Sequence, residues 1–337
     1  MDSQSILQIN DLKVSFYSGE RYIPAVDGIT FELKDGEILG IVGESGSGKS
    51  VTSLAAMGLI PSPPGKVEEG CILFEGKDLT TLREKEWRKV RGNQISMIFQ
   101  EPMTSLNPLF TIGNQLAEAI ALHTKQSKAE GVKRCTELLR LVGIPRAEGI
   151  LQEYPHQLSG GMRQRVMIAM AMACNPRVLI ADEPTTALDV TIQAQILSLM
   201  KDLNRKTHTS IILITHDLGI VAEICDRVIV MYAGQIVEQG DVRTILKTPK
   251  HPYTEGLLRS VPDLRGKRER LYSIPGNVPA PGSIPKGCRF APRCDSAFGK
   301  CHEAAPPIYK TGSDGHGVRC FLHKVGEESG EHVGLPS

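Results

Sequence analysis

Short, unbroken apolar runs alternate with longer amphipathic stretches along most of this chain, the pattern of buried parallel strands set between helices. Ile38-Leu39-Gly40-Ile41-Val42, Ile95-Ser96-Met97-Ile98-Phe99, Val178-Leu179-Ile180-Ala181 and Ser210-Ile211-Ile212-Leu213-Ile214-Thr215 each read as a strand of this kind. Nearer the amino terminus Leu12, Val14 and Phe16 alternate with other residues, as in a half-buried strand. Helices are predicted over 51–59, closed by Pro61, Pro63 and Pro64, and over 162–174, where Ala, Met and Ile recur at core-like spacing. Ser127-x-x-Glu130 forms a capping box ahead of Val132, Cys135, Leu138, Leu139 and Leu141, with Gly143 as the stop signal. The elements predict an α/β core with a helical segment between residues 100 and 159.

The first strand–helix junction carries chemistry. Gly43 to Ser50 (GESGSGKS) fits G-x-x-x-x-G-K-[ST] without a mismatch. Gly43, Gly46 and Gly48 let the backbone turn sharply and approach an anion, and the loop amides with the following helix start then face it. Lys49 is placed to neutralise β and γ phosphates, and the Ser50 hydroxyl to take one Mg²⁺ position. A second strand ends in Asp182-Glu183, at the sheet edge where α/β proteins bind ligands. Asp182 is expected to hold the Mg²⁺ shell through water, because Mg²⁺ sheds water reluctantly. Glu183 is expected to position or polarise the attacking water. A third strand ends at His216, suited to a γ-phosphate oxygen and to holding Glu183. Gln100, after its own apolar run, is within sequence reach of both Mg²⁺ and the water. Ser159 is a good N-cap residue, and Gly160-Gly161 leave the next helix's first amides uncovered, so this helix end is a second anion-binding site without a loop of its own. An adenine needs an apolar face; Phe16 is the first choice and Tyr22 the rival.

Composition narrows the class. With 337 residues the chain is one large or two unequal domains, and no internal repeat is visible. A formal net charge of +1 and 5% aromatic residues argue against a nucleic-acid partner. No apolar stretch approaches membrane-spanning length, and the amino terminus lacks the order of a secretory signal, so a reducing cytosol is expected. From about residue 260 the character changes: residues 275–337 hold 10 Gly and 8 Pro against 11 Leu, Ile, Val or Phe, too few to fold unaided. That segment also holds Cys288, Cys294, Cys301 and Cys320, spaced C-x5-C-x6-C-x18-C. In a reducing compartment four clustered thiols point to a metal centre over disulfides. The absence of a close cysteine pair weakens zinc, iron–sulfur clusters use several spacings, and no metal at all is the third option. Cys71, Cys135, Cys174 and Cys225 read as small buried hydrophobes.

The ordered trio of GESGSGKS, LSGGMRQR and VLIADEP resembles the ATPase subunits of ABC transporters over roughly residues 7–258. The resemblance implies a P-loop NTPase (ABC ATPase) fold: a mostly parallel core sheet, an antiparallel β subdomain and a helical subdomain about 101–158. It implies ATP and Mg²⁺ as cofactors, with Gly43, Glu44, Ser45, Gly46, Ser47, Gly48, Lys49 and Ser50 as the Walker A loop, Val51 next to it in the ATP site, and Gln100 as the Q-loop. Leu158 to Met162 is then the signature, with Met162 where Gln is usual. Asp182-Glu183 closes Walker B, Ala187-Leu188-Asp189 is the D-loop and His216 the switch histidine. Two such domains pair head to tail, so Ser159, Gly160 and Gly161 would face the partner subunit's ATP. The loop Thr104-Ser105-Leu106-Asn107-Pro108 is suited to linking cargo state to catalysis. Downstream, His251-Pro252-Tyr253-Thr254 and the run from Ile274 to Cys294 are similar to the oligopeptide/dipeptide branch, closest to its dipeptide-permease D-type ATPases. That branch implies a [4Fe–4S] cluster on Cys288, Cys294, Cys301 and Cys320, with Zn²⁺ as the alternative. It divides the chain into a nucleotide-binding domain, 1–260, and a small irregular cysteine-rich extension, 261–337. It also implies two transmembrane permease subunits, a second ATPase subunit, an extracytoplasmic substrate-binding protein acting indirectly, and a peripheral place on the cytoplasmic membrane face. Nickel or another small solute is the alternative cargo. A soluble, non-transport ABC ATPase is disfavoured by the short stretch between Gln100 and Ser159 and by neutral charge.

Overall fold

A computed structural model describes residues 4–100, 105–124, 126–186, 188–261, 272–280, 282–311 and 315–323. Its larger sheet has eight strands in the order β11-β12-β10-β9-β3-β8-β7-β6. The strands are β3 (Ile38–Val42), β6 (Ile95–Ile98), β7 (Val178–Asp182), β8 (Ser210–Thr215), β9 (Arg227–Tyr232), β10 (Gln235–Asp241), β11 (Tyr309–Lys310) and β12 (Gly317–Val318). The run β9-β3-β8-β7-β6 is parallel, and the remaining pairings are antiparallel. A smaller antiparallel sheet orders β2 (Arg21–Lys34), β1 (Ser5–Ser18), β4 (Gly65–Phe74) and β5 (Lys77–Asp78). The parallel strands are apolar at nearly every position because they are covered on both faces. Leu39, Ile41, Ile180, Ile212 and Ile214 face the small sheet. Their alternates Ile38, Val42, Leu179, Ala181, Ile211 and Leu213 face the helices.

The expected elements fall close to their places. The helix after the glycine loop runs Lys49–Ala56, and the one after Ser159 runs Gly160–Ala171. Ser127 and Glu130 close a reciprocal capping box on the helix Lys128–Leu141. With Ile112–His123 and Ala147–Ile150 this helix builds the helical layer on one side of the core. One expectation needs correction. Cys135 and Cys225 are buried, but Cys71 and Cys174 are only half-buried. No described helix is long and apolar enough to cross a membrane.

The extension was expected to be irregular, and the structure corrects this in part. Its β12 pairs with β10 (Glu238 opposite Val318, Gln239 opposite Gly317) and so extends the main sheet, with β11 beyond it. Apolar side chains of the same segment enter the principal core: Ile274 and Phe290 are buried, and Phe290 packs its ring 5.3 Å from Tyr232 and 5.4 Å from Tyr253. A segment with too few large apolar residues for a core of its own thus borrows the larger one. Buried Glu238 fastens the junction. It accepts from the amides of Lys250 (2.7 Å) and His251 (3.0 Å) and pairs with His316 of the extension at 2.7 Å. Burial alone would raise its pKa; the hydrogen bond from His316 and the amides more than offset this and hold it below the ordinary carboxylate value.

His251 caps the helix Pro252–Arg259, its Nδ1 accepting from the Tyr253 amide at 3.1 Å. Complete burial lowers its pKa from 6.5 to about 4. The unfolded chain therefore binds a proton that the folded one refuses, and stability rises with pH across that interval. Acidification from pH 6.5 towards 4 is expected to remove up to ~3 kcal/mol through this group. Glu238 adds to the loss at the acid end. In His251→Asn, which keeps a capping acceptor and does not titrate, the fall of the thermal midpoint with pH should be visibly shallower; an unchanged slope would rule the histidine out.

Candidate active site

The glycine loop joins the end of β3 to the helix Lys49–Ala56 and is shaped by what surrounds it. A Cβ on Gly43 would lie 2.2 Å from the Met231 carbonyl oxygen, so no side chain fits between loop and β9. Gly48 sits at φ +100° as the N-cap and offers no side chain, which leaves the first helical amides open to an anion. Lys49 is buried, with Nζ donating to the carbonyls of Gly43 (2.7 Å) and Glu44 (3.1 Å). Burial lowers its pKa, while Glu183, Asp182 and Glu44 oppose that shift, so an incoming anion would complete the cation's surroundings.

The parallel register brings the other groups to the same edge, because Val42, Thr215 and Asp182 end adjacent strands. Asp182 is buried, which raises its pKa, the nearby Ser50 hydroxyl opposing by hydrogen bond. Its Oδ1 has no hydrogen-bond partner among the described residues. A buried carboxylate oxygen without a donor, beside a hydroxyl and a lysine, is the hard-oxygen environment that Mg²⁺ takes. Glu183 stands at φ +48°, uncommon for a residue with a side chain. Its amide donates to the Ile214 carbonyl of β8 (2.9 Å), which fixes the turn. Three groups position its carboxylate: Gln100 Nε2 at 3.1 Å, Thr186 Oγ1 at 2.9 Å, and His216 Nδ1 at 3.4 Å.

Ser45 to Val51, Gln100, Glu183 and His216 line one open cavity of about 430 Å³. Phe16 lies on an adjoining apolar cavity, whereas Tyr22 is half-exposed and packs its ring on Tyr17. Ser159, Gly160 and Gly161 do not line either cavity. Ser159 caps its helix by accepting from the Met162 amide (3.3 Å), at an exposed surface. Asp189 caps the helix Val190–Thr207; Ala187 and Thr104, expected in the two neighbouring loops, lie outside the described residues.

Cys288, Cys294, Cys301 and Cys320 line one small buried cavity together with His251 and Phe290, and all four are free thiols. Among the described residues, however, no three His, Cys, Asp or Glu side chains gather as a single-ion set. Burial, then neighbouring thiols, pushes Cys320 up to about 11, and burial raises Cys288 and Cys294 as well. Such sulfurs stay protonated unless a positive centre holds them as thiolates.

Two arginines beside these cysteines went unread in the sequence. Arg293 grips the Glu44 carboxylate with both guanidinium nitrogens, 2.7 and 3.1 Å, and also donates to Tyr232 Oη. Arg289 pairs with Asp27 and the Ala233 carbonyl. The Glu44 amide donates to Tyr253 Oη at 2.9 Å. The sequence signal was present: an arginine follows Cys288 and another precedes Cys294. Thr186, three residues after Glu183, was also missed, although a hydroxyl at that spacing commonly bonds back along a turn.

Gly43→Ala is expected to abolish nucleotide binding, since the loop must abandon β9. Gly46→Ala, whose Cβ meets nothing but whose φ is +79°, should weaken binding only about tenfold. Fluorescent-nucleotide titration of both variants checks this; equal losses would contradict it.

Residues 26–186 match the ABC transporter family, and residues 237–301 match the "Oligopeptide/dipeptide transporter, C-terminal region" family. The oligopeptide transport ATP-binding protein AppD of Bacillus subtilis (strain 168) is 56% identical over 97% of this chain and 99% of its own. The dipeptide transport ATP-binding protein DppD of the same strain is 52% identical over 98% of each chain. Among solved structures, the dimeric post-hydrolysis ATP-binding cassette MJ0796, bound to ADP and Pi, superposes with a TM-score of 0.63 at 29% identity. It covers 70% of this chain and 99% of that one. Matched along nearly its whole length in sequence, and across its core in fold, the chain belongs to the ABC-transporter ATP-binding subunits of the oligopeptide/dipeptide branch.

Proposed function

We propose that this chain is the ATP-hydrolysing motor of a membrane importer for di- and oligopeptides. The observation that carries the reading is Glu183, held by Gln100, Thr186 and His216 beside the Lys49 loop in one cavity. Triphosphate lies along the open amides of the loop and helix, and Lys49 neutralises its outer phosphates. Ser50, Asp182 through water and Gln100 would hold Mg²⁺, which supplies charge stabilisation at the phosphates. Glu183 orients and polarises the water, His216 steadies Glu183 and reaches the γ phosphate, and Phe16 faces the adenine. The carboxylate's three contacts fix it in place before substrate arrives, so less reorganisation is needed at reaction.

Ser159, Gly160 and Gly161 stand apart from this cavity and serve the ATP of a second subunit, paired head to tail. That partner is another ATPase subunit, identical or different; two permease subunits and, beyond them, an extracytoplasmic binding protein complete the importer. The motor then works at the cytoplasmic membrane face. Residues 1–260 carry the nucleotide chemistry, and 261–337 carry a four-cysteine [4Fe–4S] centre. Four free thiols around one buried cavity support a thiolate-held centre, and their spacing, without a close cysteine pair, favours a cluster over one Zn²⁺.

In Glu183→Gln, phosphate release should fall about 10²–10⁴-fold, while light scattering detects an ATP-dependent dimer that persists. Undiminished turnover would remove Glu183 from its role. Anaerobically purified protein is expected to carry iron and sulfide at about four each per chain, lost in Cys301→Ser. One zinc per chain, or no metal, would overturn the cluster.

A further inference from the structure

The adjoining apolar cavity, of about 480 Å³, shares Ser45, Gly46, Gly48 and Val51 with the phosphate cavity, so the two meet at the glycine loop. Part of its lining is the expected one: Phe16, with Ile23 of the β1–β2 hairpin. A further part of the lining comes from the far end of the chain, where Val278, Pro279, Ala280 and Ile284 line the same cavity. This strap is docked on the nucleotide-binding core. Arg21 of the hairpin donates to the Gly282 carbonyl at 3.1 Å, and Val278 packs against the principal core. Just beyond it, Arg289 is clamped to Asp27 and to the Ala233 carbonyl, and Ala233 itself lines the cavity.

We propose that Val278, Pro279, Ala280 and Ile284 form the second wall of the nucleobase pocket, enclosing against Phe16 the purine whose phosphates lie on the glycine loop. The proposal rests on the ATP-site reading above. Its occupant follows from position: a mostly apolar cavity lined in part by the phosphate loop suits a flat aromatic heterocycle packed against its walls. Prolines and short side chains suit the role, since a rigid wall loses little entropy when the base enters. The extension thereby becomes part of the nucleotide site.

Photolabelling of the full-length protein with 2-azido-ATP, followed by tryptic mapping, tests the wall directly. Label displaced by ATP is expected in two peptides, residues 14–21 and residues 271–286. Label confined to residues 14–21 would overturn the proposal. Affinity supplies the second arm. The double variant Val278→Ala, Ile284→Ala should weaken ATP and ADP about three- to tenfold while leaving tripolyphosphate binding unchanged. Equal weakening of tripolyphosphate would mean general damage to the loop and would also overturn it. If the wild-type protein bound neither ATP nor tripolyphosphate, the ATP-site reading itself would fail, an outcome distinct from the other two.

Discussion

The register of β3, β7 and β8 is the constraint on which the rest depends. Parallel pairing sets Val42 beside Thr215 and Asp182 beside Ile214, so three strands that are distant in sequence end at one edge. Each strand is buried on both faces, and a one-residue slip would turn every apolar side chain to the wrong layer. Burial therefore fixes where the loop, the acidic pair and the histidine stand, although none of those polar groups contributes to the core. The positive φ of Glu183 and the uncompensated Oδ1 of Asp182 are local costs that this packing holds in place.

The carboxyl-terminal segment is bound by a different kind of force. It has few apolar side chains, and it is fastened by a short strand, two clamped arginines and a buried Glu238–His316 pair. Removing one member of such a pair leaves a buried charge uncompensated, so these contacts specify position more than they add net stability. Phe290, set among Tyr232, Tyr253 and His251, supplies the apolar part.

What the sequence made legible was local chemistry. GESGSGKS, the apolar runs and the Ser127–Glu130 box each contain their whole physical reason within a few residues, and the structure forms the corresponding turns, strands and cap. What escaped notice was long-range. Arg293 meets Glu44 across 249 positions, and no short window contains both. The strands Tyr309–Lys310 and Gly317–Val318 are two residues each, too short to show a period. The half-exposed Cys71 and Cys174 were misjudged because residue type reports average burial, whereas actual burial depends on the neighbours. The gathering of four thiols was signalled by their clustering in sequence, and the fold supplied the cavity that they line.

The Glu44–Arg293 pair also has a consequence in time. Synthesis runs from the amino terminus, so the glycine loop emerges long before its counter-ion does. Until Arg293 has been made, Glu44 lacks the guanidinium that holds it in the finished protein. A nascent or truncated chain ending anywhere between residues 261 and 292 already contains every nucleotide motif, yet its loop has one fewer restraint. Assembly of the nucleotide site is in this sense a late event, closed by the last quarter of the chain.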